Sequence, residues 1–495
     1  MLHFTSLDPA ALEVEMLAVP VCEKANIYQH PVLTAMAARL KKYGEFDGSK
    51  GSEILLYDPA EIKARRILFV GIGPAEKVDR EILRSASGRM IAAGMRKKLS
   101  QIAVAVPPAD KFPIEIEAVL EALLEGGRLA NHRFDAYRTK KDSDKKPLKR
   151  IDFMVTSEWA SRYKSLPKKI ETVCSGTLLA RDWVNTPPND KKPDQYAKII
   201  ADSAEKAGLK VQNLGKKQLQ QKKCGGILAV AAGSRAAPAM VIMDYAPKDA
   251  KKKILFVGKG VTFDSGGLNL KPSKSLTGMK ADMAGAAAVA AAMITVARLK
   301  PKTRVIGIVP LVENMVSGDA TRPGDIIRTF SGKNVEIGNT DAEGRLILAD
   351  ALAYGIKRFK PQAAVDMATL TGACLVALGE GIAGLFTRDE TLAEAIAGSA
   401  EKTHERCWRM PMPEDYRELL KSELADINNM PSTRWGAAST AALFLSEFVG
   451  DTRWAHIDIA GPAYWKKGND YCPAGGTGFG VRLMVDLLAS LEERL

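Results

Sequence analysis

From about residue 192 onward, short apolar segments alternate with stretches long enough for amphipathic helices, and no other feature of the chain constrains its fold as strongly. The pattern places strands near 226–230, 240–243, 254–257, 304–309, 363–366 and 454–459, and helices near 193–206, 284–298, 346–359, 389–402, 438–449 and 479–492. Strands separated by helices pair side by side with the helices covering both faces, so a larger α/β domain with a central mixed sheet is expected over 192–495. Residues 1–152 show the same alternation on a smaller scale, with apolar segments at 67–70, 102–106 and 153–155 and a helical stretch at 115–129. A small amino-terminal α/β domain with an oligomeric or regulatory role is expected there. The two are joined by a helical connector, 153–191, which ends where Pro187 and Pro188 enforce a turn.

In open α/β sheets ligands bind beyond the carboxyl ends of the strands. The chain puts an unusual set of charges at those ends. Lys259 follows the apolar run 254–257, with Asp264 and Lys271 shortly after it and Asp282 just before the small-residue helix at 284–298. Asp341-Ala342-Glu343-Gly344-Arg345 precedes the apolar-periodic run 346–359, and strict alternation would put its three charges on one side of an extended strand-to-helix junction. Carboxylates gathered this closely need a cation between them.

The missing residue types narrow which cation that is. The chain has only five histidines, none in a paired ligand spacing, and no CxxC, which argues against a zinc site built on His or Cys. An oxygen-rich site suits Mg, Mn or a carboxylate-bridged pair of divalent ions, able to activate water toward a carbonyl or a phosphoryl centre. Spacing alone does not choose between those substrates. The glycine-rich loop 258–267 raises phosphoryl transfer, but it lacks the GxxxxGK[ST] order, because Lys259 precedes the second glycine cluster.

The strings VGKGVTFDSGG (257–267), MKADMAG (279–285) and NTDAEGRLILADAL (339–352) resemble the motifs of the leucyl (cytosol) aminopeptidase family of dinuclear metallo-exopeptidases. The likeness continues through ARDWVNTPPND (180–190), ATLTGA (368–373), HIDIAGPA (456–463) and GTGFGVRLMVDLL (476–488). It implies two divalent ions, Mn or Zn, bridged by Asp264 and Glu343, with Asp341 completing one site and Lys259 and Asp282 the other. It further implies that Lys271 stabilises the oxyanion and that Arg345 holds a bicarbonate acting as general base. By the same likeness, Met279, Thr369 and Gly372 line the pocket for the first side chain, and the Leu370 backbone contacts the substrate. Peptides whose free amino group binds one metal would be the substrates, and the assembly would be a homohexamer. The chain departs from the family pattern at Val316, at Gly338 and along 431–439, where Arg434 and Trp435 stand at the pocket rim.

Charge raises a further partner. With 71 Lys and Arg against 58 Asp and Glu the net charge is +13, and part of it is clustered at 138–150, 216–217, 222–223 and 251–253. Some bacterial members of the resembled family bind DNA, so DNA at these clusters is the alternative expectation, with no zinc finger or RNA-recognition motif beside them. No run reaches the roughly 18 apolar residues of a membrane span. The amino terminus lacks the basic region and apolar core of a secretory signal, and six scattered cysteines fit a reducing cytoplasm.

Overall fold

The computed structural model describes residues 1–24, 28, 30–139 and 146–494, so Lys140, Lys141 and Lys145 of the basic run lie outside the described residues. The described chain divides into two compact units, Met1–Ser175 with Lys467–Ala474, and Gly176–Lys466 with Gly475–Leu495. The boundary falls within the helix Leu166–Asn185, inside the segment 153–191.

The first unit is built on a six-stranded sheet of β1 (Leu2–Thr5), β2 (Leu17–Cys22), β3 (Glu53–Tyr57), β4 (Arg66–Gly73), β5 (Gln101–Ala105) and β6 (Arg150–Met154). The spatial order is β1-β6-β5-β2-β4-β3, parallel throughout except for the edge strand β3. Its helices include Arg80–Arg96 and Ile116–Ala130, the second matching the helical stretch expected at 115–129. None of the candidate site residues belongs to this unit.

The second unit contains β7 (Lys210–Gly215), β8 (Ala239–Tyr245), β9 (Lys253–Gly258), β10 (Gly260–Asp264), β11 (Arg304–Asn314), β12 (Ile326–Arg328), β13 (Asn334–Glu336), β14 (Ala363–Ala368), β15 (Ala383–Thr387), β16 (Cys407–Arg409), β17 (Ile427–Asn428) and β18 (Arg453–Asp458). Its main sheet has nine strands in the order β16-β15-β18-β14-β9-β11-β8-β7, with β10 pairing on β11 beyond the end of β9. The central run β18-β14-β9-β11 is parallel, and the antiparallel β8 and β15 flank it, so the sheet is mixed.

A two-residue period sorts the central side chains between two cores. Ile254 and Phe256 pack on the side of the helix Ala284–Leu299, whereas Leu255 and Val257 pack on the side of the helix Gly344–Phe359. Both faces are therefore covered, which is why these strands read as unbroken apolar runs. The helical stretch Met279–Leu299 is long and apolar enough to cross a membrane by length and composition alone, but 89% of its most apolar window is buried within the fold.

One expected strand is a helix. Residues Gly225–Val230 form a short helix whose Ile227 amide donates to the buried Asp350 Oδ2 at 2.9 Å. The opposite oxygen, Oδ1, accepts from the Phe330 amide at 2.7 Å. Burial pushes the Asp350 carboxyl up to about 7 against these backbone bonds. A cap supplied from more than a hundred residues away overrides the local apolar signal.

A small sheet, β12-β13-β17, completes the unit. It delivers Asn429, one residue past β17, to the turn that precedes the helix Gly344–Phe359.

Candidate metal centre

The expected charges converge because their strands are neighbours. β9 lies between β14 and β11, and Lys259, the loop 369–371, Asn314 and Asp458 stand at the carboxyl ends of β9, β14, β11 and β18. Asp264 ends β10 opposite Asn314. The Lys259 backbone is fixed on both sides, its amide donating to Met367 O at 3.0 Å and its carbonyl accepting from Ala286 N at 2.8 Å at the start of the small-residue helix.

Asp264, Asp341 and Glu343 each offer a carboxylate oxygen, and these three atoms lie within 4.8 Å of one another. Two lysines thread between them. Lys259 Nζ sits 2.8 Å from Asp282 Oδ1 and 2.8 Å from Glu343 Oε1, and donates to Thr369 O at 2.8 Å. Lys271 Nζ sits 2.8 Å from Asp264 Oδ2 and 2.6 Å from Asp341 Oδ1. Asp282 thus joins the cluster through Lys259, and Thr369 Oγ1 donates to it at 2.8 Å.

The segment 341–345 is not the extended junction that alternation suggested. Asp341 lies in a turn, Glu343 has φ −82° and ψ −35°, and Arg345 already belongs to the helix Gly344–Phe359. The carboxylates converge because this turn is held from outside. Gly344 is required at its position, since a Cβ there would lie 2.7 Å from Cδ, Cε and Nζ of Lys259.

Electrostatics mark the site as strained for want of positive charge. Burial raises Asp264, with Glu343 adding to it, and burial holds Asp282 well above the usual carboxylate range although Lys259 opposes. Burial also raises Asp341. Desolvation pulls Lys259 and Lys271 down, but the carboxylates outweigh it and hold both above the ordinary lysine value. Asp282 Oδ2 is buried and accepts no hydrogen bond among the described residues, and Glu343 Oε1 has only its ion pair with Lys259. Four carboxylates facing two ammonium groups leave a net negative charge that suits divalent cations with oxygen ligands.

Arg345 is buried, donates from NH1 to Asn429 O at 2.8 Å, and leaves Nε without a hydrogen-bond acceptor among the described residues. Desolvation lowers its guanidinium to about 10 against the attraction of Glu343 and Asp458. An orphaned buried donor on a guanidinium suits a small oxyanion. Met279, Thr369 and Leu370 are half-buried, and Gly372 faces open space where a Cβ would stand.

Three positioning residues are not among the site residues expected from the sequence. Asn314 Nδ2 bridges Asp264 Oδ1 at 2.9 Å and Thr340 O at 3.0 Å, tying the two carboxylate loops together. Asp458 accepts from the amides of Leu370 and Thr371, both at 3.1 Å, and from Thr371 Oγ1 at 2.7 Å, which fixes the loop after β14. Asn429 Oδ1 accepts from the Gly338 and Asn339 amides, and its Nδ2 donates to Asn339 O and Ala342 O. The motif HIDIAGPA already pointed to Asp458; the asparagines had no local signal. Asn429→Ala is expected to leave several buried groups unpaired and to lower stability by about 1–3 kcal/mol. Urea unfolding monitored by circular dichroism checks it, and an unchanged midpoint would show that the turn holds itself.

Comparison with known proteins places this geometry in context. The family model described as cytosol aminopeptidase family, catalytic domain, matches residues 178–485, and that of the same family's N-terminal domain matches 23–141. A probable cytosol aminopeptidase of Chlorobaculum tepidum is 43% identical over 475 residues, covering 92% of this chain and 93% of that protein. A probable cytosol aminopeptidase of Wolbachia pipientis wMel is 39% identical over 458 residues, covering 92% and 89%. Among solved structures, the bottromycin maturation enzyme BotP in complex with Mn superimposes with a TM-score of 0.87 at 34% identity, over 97% of this chain and 99% of that one. A point mutant of tomato leucine aminopeptidase gives 0.87 at 32% identity, over 98% and 95%.

Proposed function

The chain belongs to the cytosol aminopeptidase family and is a metal-dependent aminopeptidase, and from that premise we propose that it releases leucine and other apolar residues from the amino termini of peptides, using two divalent ions, Mn or Zn. The observation that carries the reading is the trio Asp264, Asp341 and Glu343 beside the orphaned Asp282 Oδ2. Asp264 and Glu343 would be shared between the ions, Asp341 would complete one site, and Lys259 and Asp282 the other. Such ions supply Lewis acidity toward a carbonyl oxygen and a nucleophile from water at neutral pH.

The chain's own groups do the rest. Lys259 must give up its proton to serve as a donor, so its close contacts with Asp282 and Glu343 describe where the amine stands rather than its working charge. Lys271 would donate to the substrate carbonyl oxygen as negative charge develops there. Arg345, with its unpartnered Nε, would hold a bicarbonate, which would supply a general base at the site. Asp458 keeps Leu370 in place so that its backbone meets the peptide, and Met279, Thr369 and Gly372 receive the first side chain. The same reading carries a homohexamer in a reducing cytoplasm, checked by light scattering. A DNA-binding role at the basic clusters is checked by whether binding weakens steeply as salt rises.

Two outcomes test the reading. Dialysis against a chelator is expected to abolish Leu-amide hydrolysis, with Mn or Zn restoring it; activity that survives complete metal removal overturns it. Leu and Met at the first position are expected to be preferred over Asp, because an unpaired carboxylate in this recess carries a desolvation penalty of several kcal/mol. Acetyl-Leu peptides are expected to be inert, since the free amino group is needed at a metal. Comparing kcat/KM across these four substrates decides both points.

A further inference from the structure

The chain leaves the site through the segment 430–436, and both ends of that segment are pinned to catalytic walls. At its start, Asn429 clamps the turn 338–342 and its carbonyl receives Arg345. At its end, the helix Ala437–Ser446 packs Ala438 and Ala442 against Cys374, two residues beyond Gly372. Between these anchors stand Arg434 and Trp435, both exposed. The Arg434 guanidinium carbon lies 4.2 Å from the centroid of the Trp435 ring, and Trp435 is 67% exposed. Among the described residues Arg434 is paired with no carboxylate.

A guanidinium held this close to an indole gives up part of its rotamer freedom to that contact, so engaging a further partner costs it less entropy. Trp435 lies three residues before Ala438, which packs on Cys374, so the chain keeps the pair within about 11 Å of that contact. A tryptophan that holds an arginine without a carboxylate partner has a partner chemistry: a planar carboxylate.

Resting on the aminopeptidase reading above, we infer that Arg434 and Trp435 form a carboxylate-recognising rim that selects short peptides bearing a carboxylate one or two residues beyond the scissile bond. Either the terminal carboxylate of a di- or tripeptide or an acidic side chain carries that chemistry. Trp435 acts through Arg434 as a positioning residue. The contact is solvent-exposed, so its effect is modest, about threefold to tenfold in kcat/KM, and it shrinks as salt rises.

The test compares kcat/KM of the Mn-loaded parent, Arg434→Gln and Trp435→Ala on Leu-Gly and Leu-Gly-Gly, each as free acid and as amide. It adds Leu-Asp-amide against Leu-Asn-amide, with Leu-amide as reference. The expected result is a preference for free acids at one of the two lengths, reduced about threefold to tenfold in both variants, with Leu-amide turnover unchanged. If instead the preference for Asp over Asn is what disappears, the rim stands and the carboxylate is the side chain's. Acid-to-amide and Asp-to-Asn ratios that the variants leave unaltered overturn the rim while leaving the aminopeptidase intact. A change in assembly mass for Trp435→Ala, read by light scattering, also overturns it, because the ring would then belong to a contact between copies. A parent inactive on Leu-amide and on every peptide overturns the aminopeptidase reading and the rim with it.

Discussion

Replacing Glu343 by alanine is expected to abolish hydrolysis of Leu-amide and to leave the enzyme beyond rescue by added Mn. The carboxylate is 2% exposed and stands both within the three-carboxylate cluster and 2.8 Å from Lys259 Nζ. The neighbouring carboxylates are already engaged: Asp282 faces the same lysine, Asp264 is held by Asn314 and Gly266, and Asp341 faces Lys271. On the proposed reading, in which Glu343 is shared by two cations, its loss would remove one ligand from each, so metal content of the purified variant should fall together with turnover. Glu343→Gln keeps the volume and hydrogen-bonding shape while removing the charge, and separates loss of metal from collapse of the turn. Near-normal turnover by Glu343→Ala at saturating Mn would remove the residue from the metal site.

The second large effect is expected at Lys271. Its alanine variant should lose about a hundredfold to a thousandfold in kcat, the usual consequence of deleting one preorganised oxyanion donor. Metal content should stay near that of the parent. Lys271 Nζ is cationic in its contacts with Asp264 and Asp341, so deleting it removes a competitor for those carboxylates rather than a ligand. Arg345→Ala should show the same split for another reason: its guanidinium anchors on Asn429 O and touches none of the clustered carboxylate oxygens. Either variant emerging from purification without metal would reassign that residue to the coordination sphere.

Much of this site was legible because its charged groups sit in short glycine-flanked strings at the ends of apolar strands. Lys259, Asp264 and Asp341-Ala342-Glu343 could be found by position alone, and the neighbouring order β14-β9-β11 brings them together. Their exact roles were carried by resemblance; a lysine among metal ligands is not something spacing suggests. What could not be read were supports of long reach. Asn314 and Asn429 carry no charge, lie in no periodic pattern, and matter only through partners 26 to 91 residues away. The helix Gly225–Val230 was misread for a related reason, because the apolar run is local and the Asp350 cap is not. β7, with its polar sequence KVQNLG at the edge of the sheet, offered no apolar run to detect.

The Asn429 clamp divides labour along a single stretch of chain. Asn429 itself is tied to the turn bearing Asp341 and Glu343, whereas the seven residues after it, 430–436, bridge to the next helix with Ser432, Arg434 and Trp435 exposed. Sequence drift beyond the clamp can therefore retune which peptides are welcomed without rewriting the chemistry. For protein engineering, the exposed Ser432, Arg434 and Trp435 are the positions to diversify in a library, with Asn429 held constant as the hinge pin.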